Sequence, residues 1–93
     1  MEKSIYTDEY SVVIQLLKEL RKSAGVTQVQ IAEKLGQSQS LFSKYERGEL
    51  RLDVIQLRTV AQTLGLTLVE FAAMLETRLN PEPTPRGRPS SRR

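Results

Sequence analysis

Glycines punctuate the chain at Gly25, Gly36, Gly48 and Gly65, and between them apolar residues recur at helical spacing. Intervals of this size hold helices of a few turns and little else, so the chain is expected to fold as several short helices joined by tight turns. Val13, Leu16, Leu17 and Leu20 keep an i, i+3, i+4, i+7 order and predict a first helix over about 8–23. Asp8 and Glu9 at its start, and Arg21 and Lys22 at its end, suit the helix dipole. Thr27 followed by Gln30 is a capping-box pattern opening a second helix, which would bury Ile31, Ala32 and Leu35 and stop at Gly36. After Gln37, Ser38 caps a short third helix carrying Phe42 and Tyr45. Asp53 with Gln56 caps a fourth, with Val54, Leu57, Val60, Ala61 and Leu64 expected on its buried side. Thr67 with Glu70 caps a fifth, with Leu68, Phe71, Ala72 and Leu75 expected to point inward. The β-branched residues sit at helical rather than alternating positions, and no internal repeat stands out. The expected class is all-α, with five helices around one core.

The 14 residues from Asn80, NPEPTPRGRPSSRR, hold all four prolines and nothing apolar enough to bury. We therefore expect one folded domain over 1–79 and a disordered basic tail over 80–93. Charge divides along the same line. Residues 1–79 carry ten Lys/Arg and ten Asp/Glu, so the net charge of +3 resides in the tail, in Arg86, Arg88, Arg92 and Arg93 against Glu82. The basic balance of the whole is thus weak evidence for a polyanion partner of the domain itself. The chain has no Cys and no His, which excludes disulfide scaffolds, zinc fingers and thiol or imidazole catalysis. No metal, cofactor or catalytic carboxylate pair is expected, and no enzyme activity. No apolar run approaches the roughly 20 residues of a membrane span, and Met1–Tyr6 lacks the basic-then-apolar order of a signal peptide. The expectation is a cytoplasmic protein without a membrane partner.

Helices two and three, over about 27–47, have the layout of a helix-turn-helix, in which a Gly-containing turn sets two short helices at a steep angle. That spacing alone also occurs in ordinary helical bundles. The residues add more. The run VTQVQIAEKLGQSQSLFSKYERGE resembles the XRE/Cro (lambda-repressor-like) family of phage and bacterial repressors, which have a five-helix DNA-binding domain. Gln28, Ile31-Ala32, Leu35-Gly36, Ser38, Phe42, Glu46 and Gly48 stand at positions of the family pattern, as do Ala61, Leu64-Gly65 and Phe71 further on. The resemblance spans about 11–76 and implies a transcriptional regulator that binds a short palindromic operator in double-stranded DNA as a dimer. One departure is that helix three offers Lys44 alone as a cation. A neutral domain gains little from phosphates, so it would depend on dimerisation, helix N-termini and the tail.

On helix three, Phe42 and Tyr45 lie three apart and face the core, leaving Gln39, Ser40, Ser43 and Lys44 on the opposite side. These side chains can read base edges: Gln pairs with adenine N6 and N7, Lys donates to guanine, and Ser serves either. The bland alternative is a solvated helix face, which geometry alone would favour. The resemblance further implies that Gln28 contacts a phosphate and braces Gln39, and that Arg21 and Glu46 form a structural pair. Lys34, Ser38, Arg47 and Arg51 are candidate phosphate contacts, though isolated surface cations are more often simply solvated. On helix five, Val69, Ala73 and Met74 exceed what one buried face needs and are the candidate homodimer surface. Tyr10 is expected only to pack over helix one. The competing function is a protein-interaction module, such as an antitoxin or adaptor, in which DNA binding is secondary.

Overall fold

A computed structural model describes residues 8–80. These form five helices, α1 (Asp8–Ala24), α2 (Gln28–Leu35), α3 (Gln39–Glu46), α4 (Val54–Thr63) and α5 (Leu68–Leu79), with no strand among the described residues. The proposed tail beyond Asn80 lies outside them.

Local chemistry sets the helix ends. Thr27, Asp53 and Thr67 each accept a hydrogen bond from the third residue of the following helix. Each cap's own N–H in turn donates to the side-chain oxygen of Gln30, Gln56 or Glu70, closing three capping boxes. Ser38 caps α3 by accepting from Leu41 N–H, and Leu41 cannot answer, so this cap is single. The turn between α2 and α3 passes through Gly36 at φ 70°, ψ 32°, and Gln37 N–H reaches back to the Ala32 carbonyl at 2.9 Å. That left-handed reversal ends α2 and aims α3 across it.

The core gathers Ile14, Leu16 and Leu17 of α1, Ile31 and Ala32 of α2, Phe42 and Tyr45 of α3, Val60 and Ala61 of α4, and Phe71 of α5. α2 packs on α3 and α4, α1 on α3 and α5, and α4 on α5. Three details differ from the sequence reading. Ile14 belongs to the most buried line of α1, while Val13 and Leu20 flank it. Val54, expected inward, is 61% exposed, and Ile55 beside it is exposed too. They stand in the first turn of α4, ahead of Leu57 and Val60, which pack into the core. Ala72, also expected inward, is exposed, because α5 rests on Phe71 and Leu75 and Ala72 falls beside that line.

Tyr10 does more than pack. Its hydroxyl accepts from Leu52 N–H at 3.1 Å and donates to the Leu50 carbonyl at 3.3 Å, fastening the α3–α4 loop to the start of α1. A second buried hydroxyl, that of Tyr45, accepts from the side-chain amides of Gln37 and Gln56, both at 3.3 Å. It thereby ties the α2–α3 turn to the first turn of α4.

Candidate nucleic-acid interface

The end of α1, the start of α2 and the outer side of α3 enclose an open cleft of about 440 Å³. It is lined by Lys18, Arg21, Lys22, Gln28, Gln39, Ser43, Glu46 and Arg47. The buried line of α1 produces one wall of it. Ile14 and Leu17 lead by helical spacing to Arg21, whose guanidinium is carried from the core's edge to the base of the cleft.

There Arg21 meets Glu46. Nε donates to one carboxylate oxygen at 2.7 Å and Nη2 to the other at 3.1 Å, while Nη1 reaches the Val26 carbonyl at 3.2 Å. The pair is largely desolvated, at 14% and 5% side-chain exposure. The Glu46 carboxylate also accepts from Gln28 Nε2 at 2.8 Å. Gln28 Oε1 in turn accepts from Gln39 Nε2. A continuous hydrogen-bonded line thus runs from α1 through the end of α3 and the start of α2 to the first residue of α3. The two expected relationships, Arg21 with Glu46 and Gln28 with Gln39, are links of one structure, joined by the Gln28–Glu46 bond that sequence reading missed.

Gln39, Ser40 and Lys44 are exposed and Ser43 is half-buried. The Ser43 hydroxyl donates to the Ser40 carbonyl at 2.9 Å and accepts from Arg47 Nη1 at 2.9 Å. Arg47 is further held by Glu49. Ser38 spends its hydroxyl oxygen on the α3 cap. Arg51 lies over the Tyr10 ring, 4.7 Å from its centroid, at the α3–α4 loop. Lys34 is the expected site residue that the fold sends elsewhere: it lines a separate groove with Thr59, Gln62 and Thr63 of α4.

Lys18 and Lys22 were not singled out from the sequence, yet both line the cleft. Their signal was available: residues 18, 21 and 22 stand at i, i+3 and i+4 and share one face of α1. Among the described residues no carboxylate pairs with either lysine, so they supply the cleft's uncompensated positive charge. The same residues contain no carboxylate cluster that could hold a metal, and no helix among them is long and apolar enough to cross a membrane.

A family model described as a helix-turn-helix domain matches residues 15–74. A curated relative, an uncharacterized HTH-type transcriptional regulator y4dJ of Sinorhizobium fredii, is 41% identical over 52 residues, covering 56% of this chain and 68% of the relative. Among solved structures, an XRE-family like protein from Pseudomonas syringae pv. tomato superposes with a TM-score of 0.69 at 37% identity, over 75% of this chain and 85% of that one. The wild-type restriction-modification controller protein C.Esp1396I superposes with a TM-score of 0.71 at 25% identity, over 82% of this chain and 99% of the controller.

Proposed function

The chain belongs to the XRE-type helix-turn-helix family of DNA-binding transcriptional regulators, and on that premise we propose that it reads a short palindromic operator, with α3 in the major groove of double-stranded DNA. The observation that carries this is the line Arg21–Glu46–Gln28–Gln39. It anchors an exposed amide at the start of α3 to a buried ion pair, so that Gln39 meets a base edge with little rotamer freedom left to lose.

In this reading Gln39 and Lys44 select bases, with Ser40 and Ser43 beside them. Gln28, at the first turn of α2, faces a phosphate where free backbone N–H groups favour an anion. Lys18 and Lys22 add charge along the same strand. Ser38, Arg47 and Arg51 follow the backbone past α3, and Lys34 is the outlying member of that set. The active species is a C2 homodimer that pairs through α5 and places two copies of α3 about 34 Å apart, one turn of DNA. It acts in the cytoplasm, without a cofactor and without catalysing a reaction.

The test is selection of duplexes from a random pool by the purified protein, followed by titration of the selected duplex and a scrambled one. Gln39→Ala is expected to weaken the selected duplex by about 1–3 kcal/mol and leave the scrambled one nearly unchanged. Equal loss on both would show that α3 does not read the sequence there.

A further inference from the structure

Arg47 closes α3 as its C-cap residue, and the chain then reverses through buried Gly48 at φ 78°. Gly48 N–H donates to the Tyr45 carbonyl at 3.0 Å and Glu49 N–H to the Lys44 carbonyl at 2.9 Å, so the reversal is pinned on both sides. Its consequence is to lay the Glu49 carboxylate flat against the guanidinium two residues earlier. Nε donates to Oε2 at 2.8 Å and Nη2 to Oε1 at 3.3 Å, the two-pronged geometry that a DNA phosphate would otherwise offer. The remaining Nη1 is bonded to Ser43 on α3. An arginine lining the cleft therefore has its charge answered from within its own turn. Both side chains are about half exposed, 53% and 52%, so the partner can be exchanged.

Resting on the DNA-reading function above, we propose that Glu49 competes with phosphate for Arg47 and so restrains the affinity of the cleft for DNA, the operator included. On an arbitrary duplex, affinity is almost wholly phosphate attraction in many loose orientations. There the internal pair stays closed, Arg47 contributes little, and the carboxylate repels the backbone. On the operator, α3 is held in one register. The Ser43 hydroxyl turns to a base edge and releases Nη1, and a fixed phosphate replaces the carboxylate on the other two donors. Exchange is thus completed only where the sequence holds the helix in place, and there it must first break the internal pair, so the carboxylate costs the operator complex at least as much as the loose one. The Arg47 hydrogen bond, aided by the charges of Arg47 and Lys44, keeps the Glu49 carboxyl below its ordinary range, so it is ionised at neutral pH.

The experiment compares wild type, Glu49→Gln and the double variant Glu49→Gln/Arg47→Gln by fluorescence anisotropy on the selected and scrambled duplexes over a salt series. Glu49→Gln is expected to bind both duplexes tighter, the selected one by about 3–10-fold and the scrambled one by no more than that, with the log–log salt slope on the scrambled duplex steeper by about 1. The added Arg47→Gln is expected to abolish the gain. A merely structural role would alter thermal unfolding and leave the slope unchanged. A larger gain on the scrambled duplex than on the selected one, no gain on either, or a gain that survives Arg47→Gln would each overturn the proposal. If wild type selects a duplex and Glu49→Gln behaves like it, the role of Glu49 alone fails. If wild type selects no duplex, the DNA-reading function fails with it.

Discussion

Glu46 is nearly inaccessible to water and takes three hydrogen bonds, two from Arg21 and one from Gln28. Removing either charge of such a pair strands the other in a poorly solvated place. Glu46→Ala is expected to cost about 3 kcal/mol in urea unfolding, and a cycle with Arg21→Ala is expected to show strong coupling; additivity of the two losses would refute it. At the surface the expectation differs. Lys18→Ala and Lys22→Ala are expected to leave stability almost unchanged while weakening every duplex alike, each flattening the salt slope by about 1. Preference retained between selected and scrambled DNA separates them from Gln39→Ala. The individual residues were unevenly legible. Gln39, Gln28, Arg21 and Glu46 were marked by the family pattern. Lys22 was read only as a cation suiting the helix dipole and Lys18 not at all, since the cleft they line exists only once α1 crosses α2 and α3. Glu49 was passed over because its partner lies two residues away across a left-handed glycine, a spacing that brings side chains together in no regular helix.

Single elements carry their own tests. The Thr27 hydroxyl accepts from Gln30 N–H at 3.1 Å, and Thr27 N–H donates to Gln30 Oε1 at 2.8 Å. Thr27→Ala is expected to destabilise by about 1 kcal/mol. Because α2 presents Gln28 in its first turn, the same change is expected to weaken DNA binding beyond what unfolding explains. Gly36 isolates a different contribution. A Cβ built there meets nothing within 4 Å, yet φ is +70°. Gly36→Ala is therefore expected to cost about 1 kcal/mol through backbone strain alone, read by thermal unfolding. A larger loss would mean that the α2–α3 angle itself had changed. Caps and stops of this kind act within four residues, and for that reason the five helices were readable before folding. The first turn of α4 and Ala72 were not readable in the same way. Whether an apolar residue is covered depends on where neighbouring helices end, which no local pattern records.

For the molecule as a whole, assembly and acid stability are the measurable properties. Val69 is 77% exposed on α5, with exposed Ala73 and Met74 one turn further along the same helix. Light scattering over a concentration series is expected to show a dimer that Val69→Glu dissociates. A monomer at all concentrations that binds DNA one-to-one would remove the two-fold arrangement. Deleting 81–93, residues outside the described structure, is expected to lower affinity and flatten its salt dependence, because four arginines leave with them. Glu19 on α1 bonds Arg78 on α5 at 2.6 Å, and this bond, with a smaller one from Gln15, holds the Glu19 carboxyl below its ordinary range. A carboxyl lowered in the folded state favours folding above its unfolded value, and that contribution is lost as pH falls through the folded value. Stability is thus expected to be flat from neutral pH down to the carboxylate range and to decline below it. The wild type is expected to converge there with Arg78→Ala in thermal melts; a difference that persists in strong acid would contradict this.

The hydrogen-bonded line behind Gln39 also has a sense of direction. An ionised carboxylate can only accept, so the Gln28 amide must turn its nitrogen towards Glu46 and its oxygen outward. Gln39 must then answer with nitrogen, and the order of donor and acceptor on its free edge is settled two links back along the line, at Glu46. In the proposed complex, a base approaching α3 would meet an amide whose orientation is already set. Glu46→Gln could also donate, so the flipped orientation becomes admissible down the line, at the cost of leaving the Arg21 charge unanswered. In the proposed complex such a protein is expected to keep its attraction to DNA in general and to lose preference for adenine opposite Gln39.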